Sequence, residues 1–249
     1  MSQTEQRSTN KQYLSIVQGS LRQSVPKGTE GAIEREWEAG GNKGIKHEIA
    51  FSAIKGFIKD VSFFDGESNG RKFQNLNIVL DENENGKQPV ISVGVGTRYA
   101  SDILKKLPSI DFDKEVHIRP YAFTPEGEDK TVTGVEIMQP DRIGKFVYKV
   151  DSHFHSKDGG GKTIVKNGFP VPEGDTKEYT QDDWKVFYLQ VRRFLVNYTK
   201  EHICPRFADD AAPTGVTRAT AEDREEPGEE TPSGIGYGPD DINPDDIPF

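Results

Sequence analysis

The last ten residues, Asp240-Asp241-Ile242-Asn243-Pro244-Asp245-Asp246-Ile247-Pro248-Phe249, hold the most specific chemistry of the chain, and it is the chemistry of a ligand. As a terminal residue, Phe249 joins a large apolar side chain to an α-carboxylate, so one pocket with an apolar floor and a basic rim captures both. Ile247 adds a second anchor, Pro248 lowers the entropy lost on docking, and Asp245 and Asp246 steer the tip toward basic surfaces. Catalysis finds no comparable support. Gly159-Gly160-Gly161-Lys162-Thr163 resembles a phosphate loop, but that motif needs a glycine five residues before Gly161, where Ser156 stands; a hairpin turn is the better reading. His153 and His155 share a strand face and His202 lies near Cys204, yet no spacing supplies four zinc ligands. The carboxylates form no pair that would serve a hydrolase. The expectation is a protein that is not an enzyme and needs no metal or cofactor.

A second set of residues suits a polynucleotide. Side chains alternate along a strand, and alternation puts Lys55, Phe57, Lys59, Val61 and Phe63 on one face of a strand over 51–64. Over 73–80, Leu76, Ile78 and Leu80 face the core, which turns Arg71, Phe73, Asn75 and Asn77 outward. Over 115–123, Val116 and Ile118 point inward, leaving His117, Arg119, Tyr121 and Phe123 outside. Rings interleaved with cations are what a single strand requires, the rings stacking on bases and the cations tracking phosphates. The expected contact set is Lys55, Phe57, Lys59, Phe63, Arg71, Phe73, Asn77, Arg119 and Tyr121. The competing reading packs Phe57, Phe63 and Phe73 beneath the N-terminal strands or a late helix, as most large rings are buried.

These faces need a scaffold, and the pattern of the chain is mainly β. Strands are expected over 51–64, 73–80 and 90–95, a helix over 97–107 capped by Thr97 and stopped by Pro108, then strands over 115–123 and 131–138. Three strands, a helix and two strands is the order of an OB-fold, a five-stranded Greek-key barrel. Stretches 14–25, 32–38 and 45–51 read as additional N-terminal strands, and 145–154 as a further one. A helix over 181–203, capped by Thr180, carries a broad apolar stripe of Trp184, Phe187, Tyr188, Val191, Leu195 and Tyr198, suited to a core or to a homodimer interface. The expected division is a disordered 1–10, a folded 11–204 and a flexible acidic tail over 205–249.

Charge separates the tail from the body. Residues 205–249 hold twelve acidic and three basic residues, a net of −9 equal to that of the whole chain, so residues 1–204 balance. The acidic isoelectric point of 5.2 thus describes the tail and does not argue against nucleic acid. A mean hydropathy of −0.71 and the lack of a long apolar run predict no membrane span. The single cysteine, Cys204, fits a reducing cytoplasm.

The Asp-Asp-Ile-Pro-Phe ending resembles the C-terminal tip of bacterial single-stranded DNA-binding proteins, where it recruits replication and repair partners. The longer body, with added strands and a late helix, is similar to phage-encoded single-stranded DNA-binding proteins, which have one OB-fold, an acidic tail and a terminal phenylalanine. The resemblance implies a sequence-tolerant binder of single-stranded DNA acting in replication, recombination or repair within a (host) cytoplasm. Its tip would bring polymerase, helicase or nuclease to the coated strand. The specific match covers residues 240–249 only, and the body lacks the layout of the compact bacterial domain, so its tetramer does not carry over. Two other classes remain open: an OB-fold protein–protein adaptor, and a single-stranded RNA-binding module.

Overall fold

The computed structural model describes residues 10–208, apart from 40, 41, 69, 142, 146 and 147. The tail over 209–249, with its tip, and the N-terminal residues 1–9 lie outside the described residues. The N-terminal stretch forms two hairpins, β1 (Lys11–Val17) with β2 (Ser20–Ser24) and β3 (Ile33–Ala39) with β4 (Asn42–Phe51). There follow β5 (Ile54–Gly56), β6 (Ile58–Ser68), β7 (Arg71–Leu80), β8 (Gln88–Gly94), α1 (Arg98–Lys106), β9 (Val116–Phe123) and β10 (Val132–Gln139). Short strands β11 (Tyr148–Lys149), β12 (His155–Lys157) and β13 (Thr163–Val165) precede the long α2 (Gln181–His202). The structure is mainly β, with a large mixed sheet in the order β3-β4-β2-β1-β8-β7-β6 and a smaller antiparallel one in the order β11-β10-β9-β5. No helix among the described residues is long and apolar enough to cross a membrane.

Alternation builds the core between the two sheets. Leu76, Ile78 and Leu80 of β7 are fully buried, as are Ile91, Ile118 and Ile137 from neighbouring strands. Helix α1 adds Ala100, Ile103 and Leu104, its first turn held by Thr97, whose hydroxyl accepts the Ala100 N–H at 3.2 Å. Helix α2 begins with a capping box between Thr180 and Asp183 and contributes Val191, Leu195 and Val196 to the same core. Phe154 is fully buried against Phe194 and Tyr198 of this helix, with ring centroids 5.3 and 5.0 Å away. The apolar stripe of α2 is therefore largely core, with Val186 and Leu189 left exposed.

Three expectations need correction. The strand expected over 14–25 is a hairpin, because Gln18 and Gly19 take positive φ and turn the chain. The strand expected over 145–154 is reduced, among the described residues, to the two residues of β11. The tether does not begin at 205: a 3-10 turn over Cys204–Phe207 keeps the chain on the body, with Phe207 edge-on to Phe112 at 5.2 Å.

The described residues also form no five-stranded closed barrel, although β5/β6, β7, β8, α1, β9 and β10 follow in the expected order. Both edges that would meet are already in use. Strand β1 runs parallel along β8, Tyr13 beside Val90 and Leu14 beside Ile91. On β10, Asp102 Oδ2 accepts the Val135 N–H at 2.7 Å while the Lys106 ammonium donates to the Val135 carbonyl, so α1 satisfies Val135 with side chains, and β11 pairs with Met138 and Gln139. Backbone groups so satisfied have no call for another strand.

The β1–β2 turn packs against β9. Gly19, at φ +75°, donates its N–H to the Tyr99 hydroxyl at 2.8 Å, and a Cβ there would collide with the Ala122 backbone. Gly19→Ala is expected to cost about 2–4 kcal/mol from left-handed strain and overpacking together. A lower denaturant midpoint at unchanged m-value would show it.

Candidate functional site

The outer faces of both sheets meet along the strand over 54–68, which serves β9 through β5 and β7 through β6. A register shift between Ile58 and Asp60 breaks the alternation expected there. Lys55, Phe57 and Lys59 are exposed, but Val61 and Phe63 turn to the core side, where they pair with Ile78 and Leu76. Phe63 lies half-buried with Lys200 of α2 5.3 Å from its ring centroid, a placement that removes it from the outer face. Its neighbour Phe64 takes that place, 44 % exposed and 6.1 Å from Phe73.

On β7 the expected outward residues are where alternation puts them. Arg71 is exposed, and Phe73, Asn75 and Asn77 are half-buried. Asn75 donates to the Ser92 hydroxyl at 3.2 Å, and Asn77 stands between Ser62 and Ser92 in register. On β9, His117, Arg119, Tyr121 and Phe123 share the outer face, with Lys55 opposite His117. Burial depresses the His117 imidazole below its usual range; Lys55 and Arg119 add to this, and Glu136 and Glu115 oppose it. Arg119 pairs with Glu136 across the strands, with Lys149 3.8 Å from the same carboxylate. That carboxylate tempers the charge of Arg119 toward a phosphate. Phe57 is held by its N–H, donated to Asp81 Oδ1 at 2.8 Å, and Lys59 lies 5.6 Å from its ring centroid.

A glycine recurs beneath the rings. Phe73 faces Gly66 across β6–β7, Tyr121 faces Gly134 across β9–β10, and Trp37 faces Gly44 across β3–β4. In the first two pairs a Cβ on the glycine would collide with the ring; in the third it would stand 3.0 Å from Trp37 Nε1. Each ring thus lies across its partner strand in space that only glycine leaves, with one face toward the sheet. A ring held that way offers its other face for stacking at little entropic cost.

A residue that the pattern of the sequence did not single out joins this surface. Tyr13 of β1, 50 % exposed, shares this face through its register with Val90. Away from this face, Arg192 of α2 sets its guanidinium against Gly96, beyond the end of β8, without an ion pair among the described residues, and burial lowers its pKa. Only the fold brings it there; a glycine and an aromatic equidistant from a turn would have revealed the ring positions. The clefts are poorer candidates. Two of about 400 and 700 Å³ flank Phe207, but each mixes signs, Lys59 and Arg206 with Asp111 and Asp113 in one, Lys59 and Lys200 with Asp60 and Asp65 in the other. No group of three or more metal-ligating side chains occurs among the described residues. Comparison with models of known protein families, with curated proteins and with solved structures finds no match for this chain.

Proposed function

We propose that this chain binds single-stranded DNA with little sequence preference, along the outer faces of its sheets, and recruits partner proteins through its acidic tip. The observation that carries the reading is the set of glycine-backed rings, above all Phe73 and Tyr121, interleaved with Lys55, Lys59, Arg71 and Arg119. Stacking on such rings is sequence-tolerant because every base has a π-face. The body is read as an OB-like domain in which β1 and α1 take the edges that would close the barrel. The tip over 240–249, with Asp245, Asp246, Ile247, Pro248 and Phe249, is the recruiting arm for a polymerase, helicase or nuclease, and its negative charge keeps it clear of the coated strand.

The test is a fluorescence-anisotropy titration of labelled oligo-dT at several salt concentrations. It compares the intact chain with one truncated after Phe207, with duplex DNA and oligo-rU as competitors. Tight binding is expected, kept or strengthened by truncation, resistant to both competitors, and falling with salt at a log–log slope of about −2 to −3 for three or four phosphate contacts. No binding by either chain would refute the reading and leave an adaptor. Effective competition by oligo-rU would move it to RNA. Deleting 247–249 should leave DNA affinity intact while abolishing partner recruitment.

A further inference from the structure

We infer that the outer face of the N-terminal hairpins is a second polynucleotide-binding segment, centred on Trp37, that takes the same DNA strand onward from β6–β8. The inference rests on the reading of the chain as a single-strand binder and assigns it a longer track. Register alone carries the surface across: Asn77 stands beside Ser92, Ser92 beside Ser15, Ser15 opposite Arg22, Arg22 opposite Ala50, and on β4 Lys46 opposite Arg35 and Gly44 opposite Trp37. Tyr13, Arg22, Arg35, Trp37 and Lys46 therefore share one sheet face with Phe73 and Asn77. Seven strands at about 4.8 Å give that face a width of about 29 Å.

The chemistry of the hairpin is sorted by face. Along β3, Glu34 and Glu36 alternate with Arg35 and Trp37, so the acids lie on the opposite side from the guanidinium and the indole. Glu34 there meets His47 at 3.6 Å. The outer side groups Arg22, Arg35 and Lys46 around one buried carboxylate, Glu48. Glu48 holds the two guanidinium groups in place, Arg35 by two hydrogen bonds of 2.8 and 2.7 Å. Lys46 Nζ stands 5.2 Å from the Trp37 ring centroid. The glycine beneath Trp37 repeats the arrangement at Phe73 and Tyr121, and the cation beside its ring repeats that at Phe57. The occupant that suits it is a strand of alternating bases and phosphates.

Trp37 supplies its own reporter, since the chain has only one other tryptophan, Trp184 of α2. In a Trp184→Phe protein, labelled oligo-dT of increasing length is titrated while anisotropy and tryptophan emission are read together. Short oligomers should bind without changing the emission, and longer ones should quench it. Trp37→Ala in the natural background should weaken long oligomers by roughly five- to 150-fold, one stacked base, and leave short ones unchanged. Gly44→Val, which retains the indole but displaces it, should do the same. Binding at every length with constant Trp37 emission would overturn the inference and leave the proposed function standing. Emission that changes on dilution without DNA would also overturn it, making this face a contact between copies. No binding at any length would remove the proposed function itself.

Discussion

Phe73→Ala is expected to weaken oligo-dT binding by about 1–3 kcal/mol, roughly five- to 150-fold, at fixed salt and with the slope of affinity against salt unchanged. The ring sits at the centre of the outer face, between Arg71 and Asn75 on its own strand and against Phe64, and it lies across Gly66. It is half-buried, so the substitution also removes packing, and a loss of affinity could then report a loosened hairpin. Gly66→Val separates the two. Valine favours strand geometry but its side chain occupies the space under the ring, so Phe73 must swing away while remaining in the chain. Both variants should lose affinity to a similar extent, and thermal unfolding should show that both remain folded. Retained affinity in Gly66→Val would show that the glycine-backed ring is not a stacking platform.

Glu48→Ala should be the most destabilising single change on this face, at about 3–5 kcal/mol. Its carboxylate is 3 % exposed and meets Arg35 at 2.7 Å and Arg22 at 3.5 Å; without it two confined guanidinium groups lose their counter-charge. Burial by itself would raise the Glu48 carboxyl. The hydrogen bonds and charge of Arg35, with help from Arg22 and Lys46, outweigh burial and hold it below the usual carboxylate range. A depressed carboxyl contributes stability that is complete above its unfolded value of about 4.3 and fades as pH falls through the folded one. The deficit of the variant against the natural chain should therefore be full at pH 7 and shrink well below pH 4. For a domain of this size it corresponds to a Tm lowered by roughly 6–20 °C at pH 7. Unfolding curves at the two pH values check both size and sign; a deficit that grows in acid would contradict this account of the pair.

Much of the scaffold is legible in the sequence because its signals are local. Thr97 and Thr180 mark the helix starts, and the alternation of Leu76, Ile78 and Leu80 sets the face of β7 and so the outward position of Phe73. What escapes is non-local. Nothing near 11–17 shows that β1 will lie parallel to β8, seventy-odd residues away. Asp102 and Lys106 stand at i,i+4 spacing on α1, while in the fold they also meet the Val135 N–H and carbonyl on the edge of β10. The bulge between Ile58 and Asp60 likewise leaves no trace in the pattern, and it moves Phe63 inward and Phe64 outward. Trp37 is legible in principle: it and Gly44 lie at equal sequence distance from the Gly40-Gly41 pair.

The glycine-backed rings bear on how such a chain can drift over generations. Gly66 and Phe73, Gly44 and Trp37, Gly134 and Tyr121 are each a single heritable unit. A side chain gained at the glycine evicts the ring, and a ring lost leaves a bare glycine weakening a strand. Among descendants of this gene each pair should be kept or replaced together, at a pace set by double rather than single substitutions.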